Sequence, residues 1–313
     1  MIRGALLALI ASFSLSASDK VVLLELDWAS QRVLTHALHQ LFQTAGVESE
    51  ILTAPSNGQW FYLTSGAADV QVEIWQGTME HKFSQLVEAG KLEQATVHNA
   101  TTREDWWYPE YVETLCPGLP DWKALRYCAA IFADGGTKGI YYSGPWEKPD
   151  MARIRALKLP FRVETLSSGD EINQMLINAI NNKAPILIFN WSPNWVEETY
   201  AGKFVEFPPY EQACESNSLW GINPSLPWDC GNPSGGWLKV AKSTHLNKKS
   251  QCAADITSAF SLSNQEIAYA AYLLDVQQYS LPYAAQKWLE KYQSKISGWI
   301  KHSSCELTTD RNS

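Results

Sequence analysis

The chain has 313 residues, with 25 Lys and Arg against 33 Asp and Glu for a formal net charge of −8. That acidic balance argues against nucleic acid or an anionic membrane surface as a partner. The length suggests two lobes at about 100 to 200 residues each, and 14 tryptophans are several times what an ordinary core would use.

The first residues, MIRGALLALIASFSLSASDK, have a basic start at Arg3, an apolar run from Ala5 to Leu15, and small residues at Ser16, Ala17 and Ser18. This is the pattern of a secretory signal peptide over residues 1–18, and the run is too short to cross a bilayer of about 30 Å. Cleavage is expected near Ser18, with the mature protein in the periplasm. Six cysteines in an exported chain favour disulfides over metal ligation, and none of the spacings is C-x-x-C. Fifteen connectivities are open. Cys116 with Cys128 and Cys214 with Cys230 each enclose a proline-bearing, loop-like stretch, which leaves Cys252 for Cys305.

KVVLLELDW, Lys20 to Trp28, reads as a strand buried on both faces. Ser30 can cap a helix through Phe42 that ends at Gly46, with Val33, Leu34, Leu38, Leu41 and Phe42 at helical spacing. VESEIL alternates like a strand, QWFYLTSG reads as a short helix closed by Gly66, and DVQVEIW as a further strand before a helix around His81 to Ala89. Strand alternating with helix predicts an α/β lobe with a mostly parallel sheet.

TTREDWWYPEYVETLCPGLPDW then breaks the rhythm, and Trp107 to Val112 reads as an extended segment leaving the first lobe. A second α/β unit follows: strand GTKGIYYSG, a helix over Pro149 to Leu157, strand FRVETL, a helix from Ser168 to Asn181, and strand PILIFNW. AGKFVEFPPYE reads as the return crossing, and the last helices pack back on the first lobe. The expected division is residues 19–107 plus 211–313 for the first lobe and 108–210 for the second, with a hinge between them.

Four tryptophans stand at or just beyond the carboxyl ends of these strands: Trp28 in LELDWASQ, Trp75 in QVEIWQG, Trp146 in YYSGPWEKP and Trp191 in IFNWSP. Ligands of open α/β sheets gather outside that edge. A lone tryptophan at a strand end is ordinarily core packing, but four at equivalent positions, two in each lobe, describe a cage. Such a lining suits a methylated ammonium group, which has no N–H to donate. Its charge is drawn to ring faces at about 0.5 to 2 kcal/mol per ring, and several rings approach the roughly 8 kcal/mol of a micromolar affinity. Trp195 reads as packing at the start of a helix, and Trp122, Trp220, Trp228, Trp237, Trp288 and Trp299 as packing elsewhere.

The rival class is a secreted carbohydrate-active hydrolase, whose clefts combine tryptophans with paired carboxylates. Glu73 lies inside a strand, however, and Glu197 and Glu198 start a helix, where its dipole favours acids anyway. There is no H-E-x-x-H or G-x-S-x-G, the six histidines lack zinc spacing, and DGGTKG lacks the terminal Lys-Ser/Thr pair of a phosphate loop. Neither a cofactor nor a metal is expected, and the protein is read as a binding protein rather than an enzyme.

The stretches LDWASQRVLTHAL, LTSGAADVQVEIW, REDWWYPEYVETLCPGLPDW, IFNWSPNWV, SLWGINP and DCGNP resemble the glycine betaine and proline betaine substrate-binding proteins of ABC importers, and among them the four-tryptophan branch that binds trimethylamine N-oxide. The resemblance implies two lobes of the periplasmic binding protein type closing on a caged methylammonium group and delivering it to a membrane permease. It carries the cage onto Trp75, Trp191, Trp146 and Trp28. Glycine betaine binders of the family commonly have a histidine four residues after the tryptophan at Trp75; here that residue is Met79, with His81 out of step, which leaves trimethylamine N-oxide or choline more open as ligand. Glu113 is the candidate acceptor for the ligand's other end, Trp106 a candidate to line the cleft, and Glu104 and Asp105 read equally as hinge charges. A monomer is expected.

Overall fold

The computed structural model describes residues 20–146 and 148–305; the expected signal peptide and cleavage site lie outside them. The first half runs β1 (Val21–Glu25), α1 (Ala29–Thr44), β2 (Ser49–Thr53), α2 (Gln59–Ser65), β3 (Val70–Trp75), α3 (Gln76–Glu88) and β4 (Leu92–Val97). Next come β5 (Thr102–Pro109), β6 (Pro117–Pro120), α4 (Leu125–Cys128), β7 (Gly139–Ser143), α5 (Asp150–Ala156), β8 (Phe161–Thr165), α6 (Gly169–Asn181), β9 (Ile188–Ser192), α7 (Trp195–Thr199), β10 (Gly202–Phe204) and α8 (Ala213–Ser216). The chain finishes with β11 (Ser234–Gly236), β12 (Leu238–Ser243), α9 (Leu246–Lys249), α10 (Gln251–Ala259), α11 (Asn264–Asp275), α12 (Leu281–Lys291) and α13 (Gln293–Lys301).

Two sheets result, each the centre of a lobe. One has the order β2-β1-β3-β12-β4, the other β10-β5-β9-β7-β8 with β11 added to β5. Both are mixed where mostly parallel sheets were expected. β1 is parallel to β2 and β3, and β7 to β8 and β9, but β12 runs antiparallel to β3 and β4, and β5 to β9, β10 and β11. The antiparallel partners gather around β5 and β12, which follow the passages between sheets and are free of the right-handed βαβ crossover that imposes parallel order.

These pairings also place the passages elsewhere than at 107/108 and 210/211. β5 is already bonded into the second sheet at Thr102, so the expected first boundary falls within a strand. β10, expected to lead back to the first lobe, pairs with β5 instead, and the chain returns only between β11 and β12. Residues 211–233, expected in the first lobe, are fastened to the second: Arg153 donates from Nε to the Cys230 carbonyl and from Nη1 to Asp105 Oδ1, both at 2.8 Å.

Local signals hold well. α2 ends at Gly66, whose φ of 79° is one that glycine adopts freely; Ser168 caps α6 by accepting from Glu171 N. Ser30 does not cap α1; the N-cap is Trp28, and the Ser30 hydroxyl turns to Glu73 instead. The disulfides are Cys116–Cys128, Cys214–Cys230 and Cys252–Cys305, the pairing favoured above. Among the described residues no helix is long and apolar enough to cross a membrane.

Candidate functional site

All four strand-end tryptophans line one cavity between the sheets, together with Thr78, Met79, Glu104 and Phe189. Topology explains the convergence: β1 and β3 are adjacent and parallel, so Trp28 and Trp75 emerge from the same sheet edge, and β7 and β9 do the same for Trp146 and Trp191. Trp146 meets Trp191 edge-on at 5.5 Å, and Trp191 stacks on Phe189 at 5.7 Å. Gly144 and Gly169 let these rings in: a Cβ on Gly144 would collide with the Trp146 ring, and one on Gly169 would touch both indoles.

The rings of the first lobe are anchored from behind. Trp28 and Trp75 donate their indole N–H groups to one oxygen of Glu73, Oε2, at 2.5 and 3.1 Å, and the Ser30 hydroxyl adds a third bond at 3.0 Å. Burial pushes the Glu73 carboxyl up to about 7 against these three donors.

Among the described residues one carboxylate lines the cavity, that of Glu104 on β5. Oε1 is held by Lys148 Nζ at 2.9 Å, whereas Oε2 is buried without a partner. Burial pulls the Lys148 ammonium down and the adjacent Glu104 opposes that pull; the same Nζ sits 3.8 Å from the centre of the Phe189 ring. Gly77, in the first turn of α3, gives Glu104 its room, because a Cβ there would run into Oε2. Met79 contributes apolar wall, and His81 faces the wide outer cleft.

Two sequence candidates lie away from this cavity. Trp106 is fully buried in the second lobe's core, stacked on Tyr141 at 4.1 Å with its N–H on Asp150 Oδ1 at 2.8 Å. Adjacent residues of a strand face opposite sides, so the strand that aims Glu104 into the cavity gives Trp106 the same face as Glu104 but one step further into the core. Glu113 is engaged at the surface by Tyr108 Oη and Lys203 Nζ, at 2.9 and 2.8 Å. Glu104 and Phe189 were missed as lining residues. Phe189 had a signal, standing two residues before Trp191 and hence on the same face of β9; for Glu104 the sequence offered only a charge near a lobe boundary.

Residues 19–291 match the family model described as the substrate-binding domain of the ABC-type glycine betaine transport system. A trimethylamine N-oxide-binding protein of Pelagibacter ubique (strain HTCC1062) is 31% identical over 305 residues, covering 93% of this chain and 94% of that one. Among solved structures, an ABC-transporter choline-binding protein in complex with choline superposes with a TM-score of 0.72 at 15% identity, covering 94% and 95% of the two chains. Lactococcal OpuAC in its closed form with glycine betaine gives 0.64 at 17%, covering 90% and 99%. At such identities the last two speak for the fold alone, but the sequence matches go further: the chain belongs to the family of substrate-binding domains of ABC-type glycine betaine transport systems.

Proposed function

We propose that this binding component captures a small methylated ammonium compound, choline or trimethylamine N-oxide, between its lobes and presents the closed form to a membrane permease. The observation that carries the reading is the convergence of four indoles, two from each sheet, on a cavity in which the Glu104 carboxylate keeps one oxygen unpartnered. Rings from both sides supply what closure requires, contacts that exist only when the lobes meet. Glu104 Oε2 asks the ligand's far end for a hydrogen, from a hydroxyl or from an N-oxide oxygen sharing a proton with it. A betaine carboxylate meeting the same oxygen would be repelled.

Membership of a family of transporter components removes the hydrolase alternative. Three disulfides suit the oxidising periplasm, and one chain completes the cavity, consistent with a monomer. The test is a calorimetric titration of the mature protein with choline, trimethylamine N-oxide and glycine betaine. Micromolar binding of either of the first two, with glycine betaine weaker, is expected; binding of none of them would overturn the reading.

A further inference from the structure

Glu73 stands behind the cavity wall, two residues before Trp75 on β3, fully buried and outside the cavity lining. Three donors converge on Oε2, and Oε1 is buried with no hydrogen-bond partner. A proton on Oε1 would be a buried donor with nothing to accept it, so the surroundings complement the anion. A buried carboxylate is costly without a cation, and among the described residues no Lys, Arg or His forms an ion pair with it. The cation that would offset this cost is a guest on the far side of the rings. An indole whose N–H donates to an anion also becomes more electron-rich, and both Trp28 and Trp75 line the cavity.

We propose that Glu73 is a positioning residue that fixes Trp28 and Trp75 through their N–H groups and, by the negative charge it holds behind them, selects a cationic guest over a neutral one of the same shape. The inference rests on the proposed function and adds to it a discrimination that the rings' shape alone would not give.

The experiment compares choline with 3,3-dimethylbutan-1-ol, in which carbon replaces the charged nitrogen, on wild type and Glu73→Gln. Because burial pushes Glu73 up to about 7, it is run near pH 8.5, with the weaker alcohol read by displacement of choline. The amide oxygen can still accept from the indoles, so the substitution removes charge while keeping the acceptor. Choline affinity should fall roughly ten-fold or more, from a unit charge lost at an effective dielectric near 20, and the alcohol should change less than about two-fold. Unchanged choline affinity, or equal losses for both compounds, would overturn the charge role. A wild type that binds neither overturns the proposed function as well.

Should Glu73→Gln not fold, the same affinity ratio is measured on wild type from pH 6 to 8.5. It should rise toward high pH; a flat ratio sinks the inference. Of the charged groups around β3, Glu25 of β1 is engaged with His36, Arg32 of α1 with Asp170, Glu80 of α3 with Gln76, Lys242 of β12 with Glu93, and Lys239 of β12 with the Trp237 ring; Asp27, beside Trp28, is also pushed up by burial, so the rise must persist in Asp27→Asn. Across the cavity Glu104 is paired with Lys148. Asp275, which titrates in the same range, acts on lobe closure and cancels in the ratio.

Discussion

Trp195, at the start of α7, donates its indole N–H to Asp275 Oδ2 at 2.7 Å, joining the second lobe to the last residue of α11 in the first. Asn173 of α6 reaches the same oxygen at 2.7 Å, and Arg32 of α1 faces Asp170 of α6 at 4.0 Å. These contacts lie outside the cage and join the two lobes directly. Trp195→Phe keeps most of the ring packing but deletes one donor to a buried acceptor, at about 1–2 kcal/mol. Calorimetry should therefore show choline or N-oxide affinity falling roughly 5- to 30-fold, with small-angle scattering showing a larger open fraction at subsaturating ligand.

The same aspartate makes closure sensitive to pH. Burial, with Asp170 nearby, pushes Asp275 up to about 7, while Trp195, Arg32 and Asn173 act in the other direction. Separating the lobes returns it toward the ordinary carboxylate range. The closed form thus binds the proton more tightly, and this contribution to closure is lost as pH rises through about 7. Near pH 6, closing should take up about one proton more in wild type than in Asp275→Asn, read from binding enthalpies in buffers of different ionisation heat. Equal uptake in the two proteins would refute the assignment.

Removing a ring tests the cage itself. Trp191→Ala takes away a ring face together with its contacts to Trp146 and Phe189, and should weaken binding roughly 100-fold or more. Trp75→Ala should do the same and also leave Glu73 one donor short. Trp106→Phe, by contrast, is expected to lower melting temperature more than affinity, since its ring belongs to the core.

Gly77→Ala probes Glu104 without touching it. The added methyl competes with Oε2 for space, so the carboxylate must leave its place in the cavity. Affinity for a hydroxyl-bearing ligand should drop about 5- to 20-fold, as expected for one lost charge-assisted bond, and the melting temperature should fall as well, because the buried pair with Lys148 is disturbed. A protein that binds as tightly as wild type would show that Glu104 does not meet the ligand.

Arg153 sits in a buried junction with Asp105 at 2.8 Å, Asp150 at 3.7 Å, the Cys230 carbonyl and Asn232. Arg153→Leu leaves two buried carboxyl groups without their cation and should destabilise the fold by about 3–5 kcal/mol in denaturant unfolding. Asp105 Oδ2 also accepts from Asn232 N at 2.9 Å, so loss of this junction should loosen the chain just before its return to the first lobe.

The sequence by itself determined the alternating elements and the four tryptophans that line the cavity, because apolar periodicity and the ends of strands are local in the chain; it favoured the disulfide pairs but left their connectivity open, and the structure closed Cys252 to Cys305 across 53 residues. The position of each tip tryptophan could be read since parallel strands bring their carboxyl ends to a common edge. Only the tertiary structure decided the rest. Whether TTREDWWYP belonged to one sheet or the other depended on hydrogen bonds to Ser192 and Trp191, far along the chain, and β10 followed β5 into the same sheet. Glu73, Glu104 and Asp275 read as ordinary acids in sequence; burial, two indole N–H groups, a buried lysine and the opposite lobe's Trp195 gave each a different role, since a carboxylate's chemistry is set by the neighbours that folding brings to it.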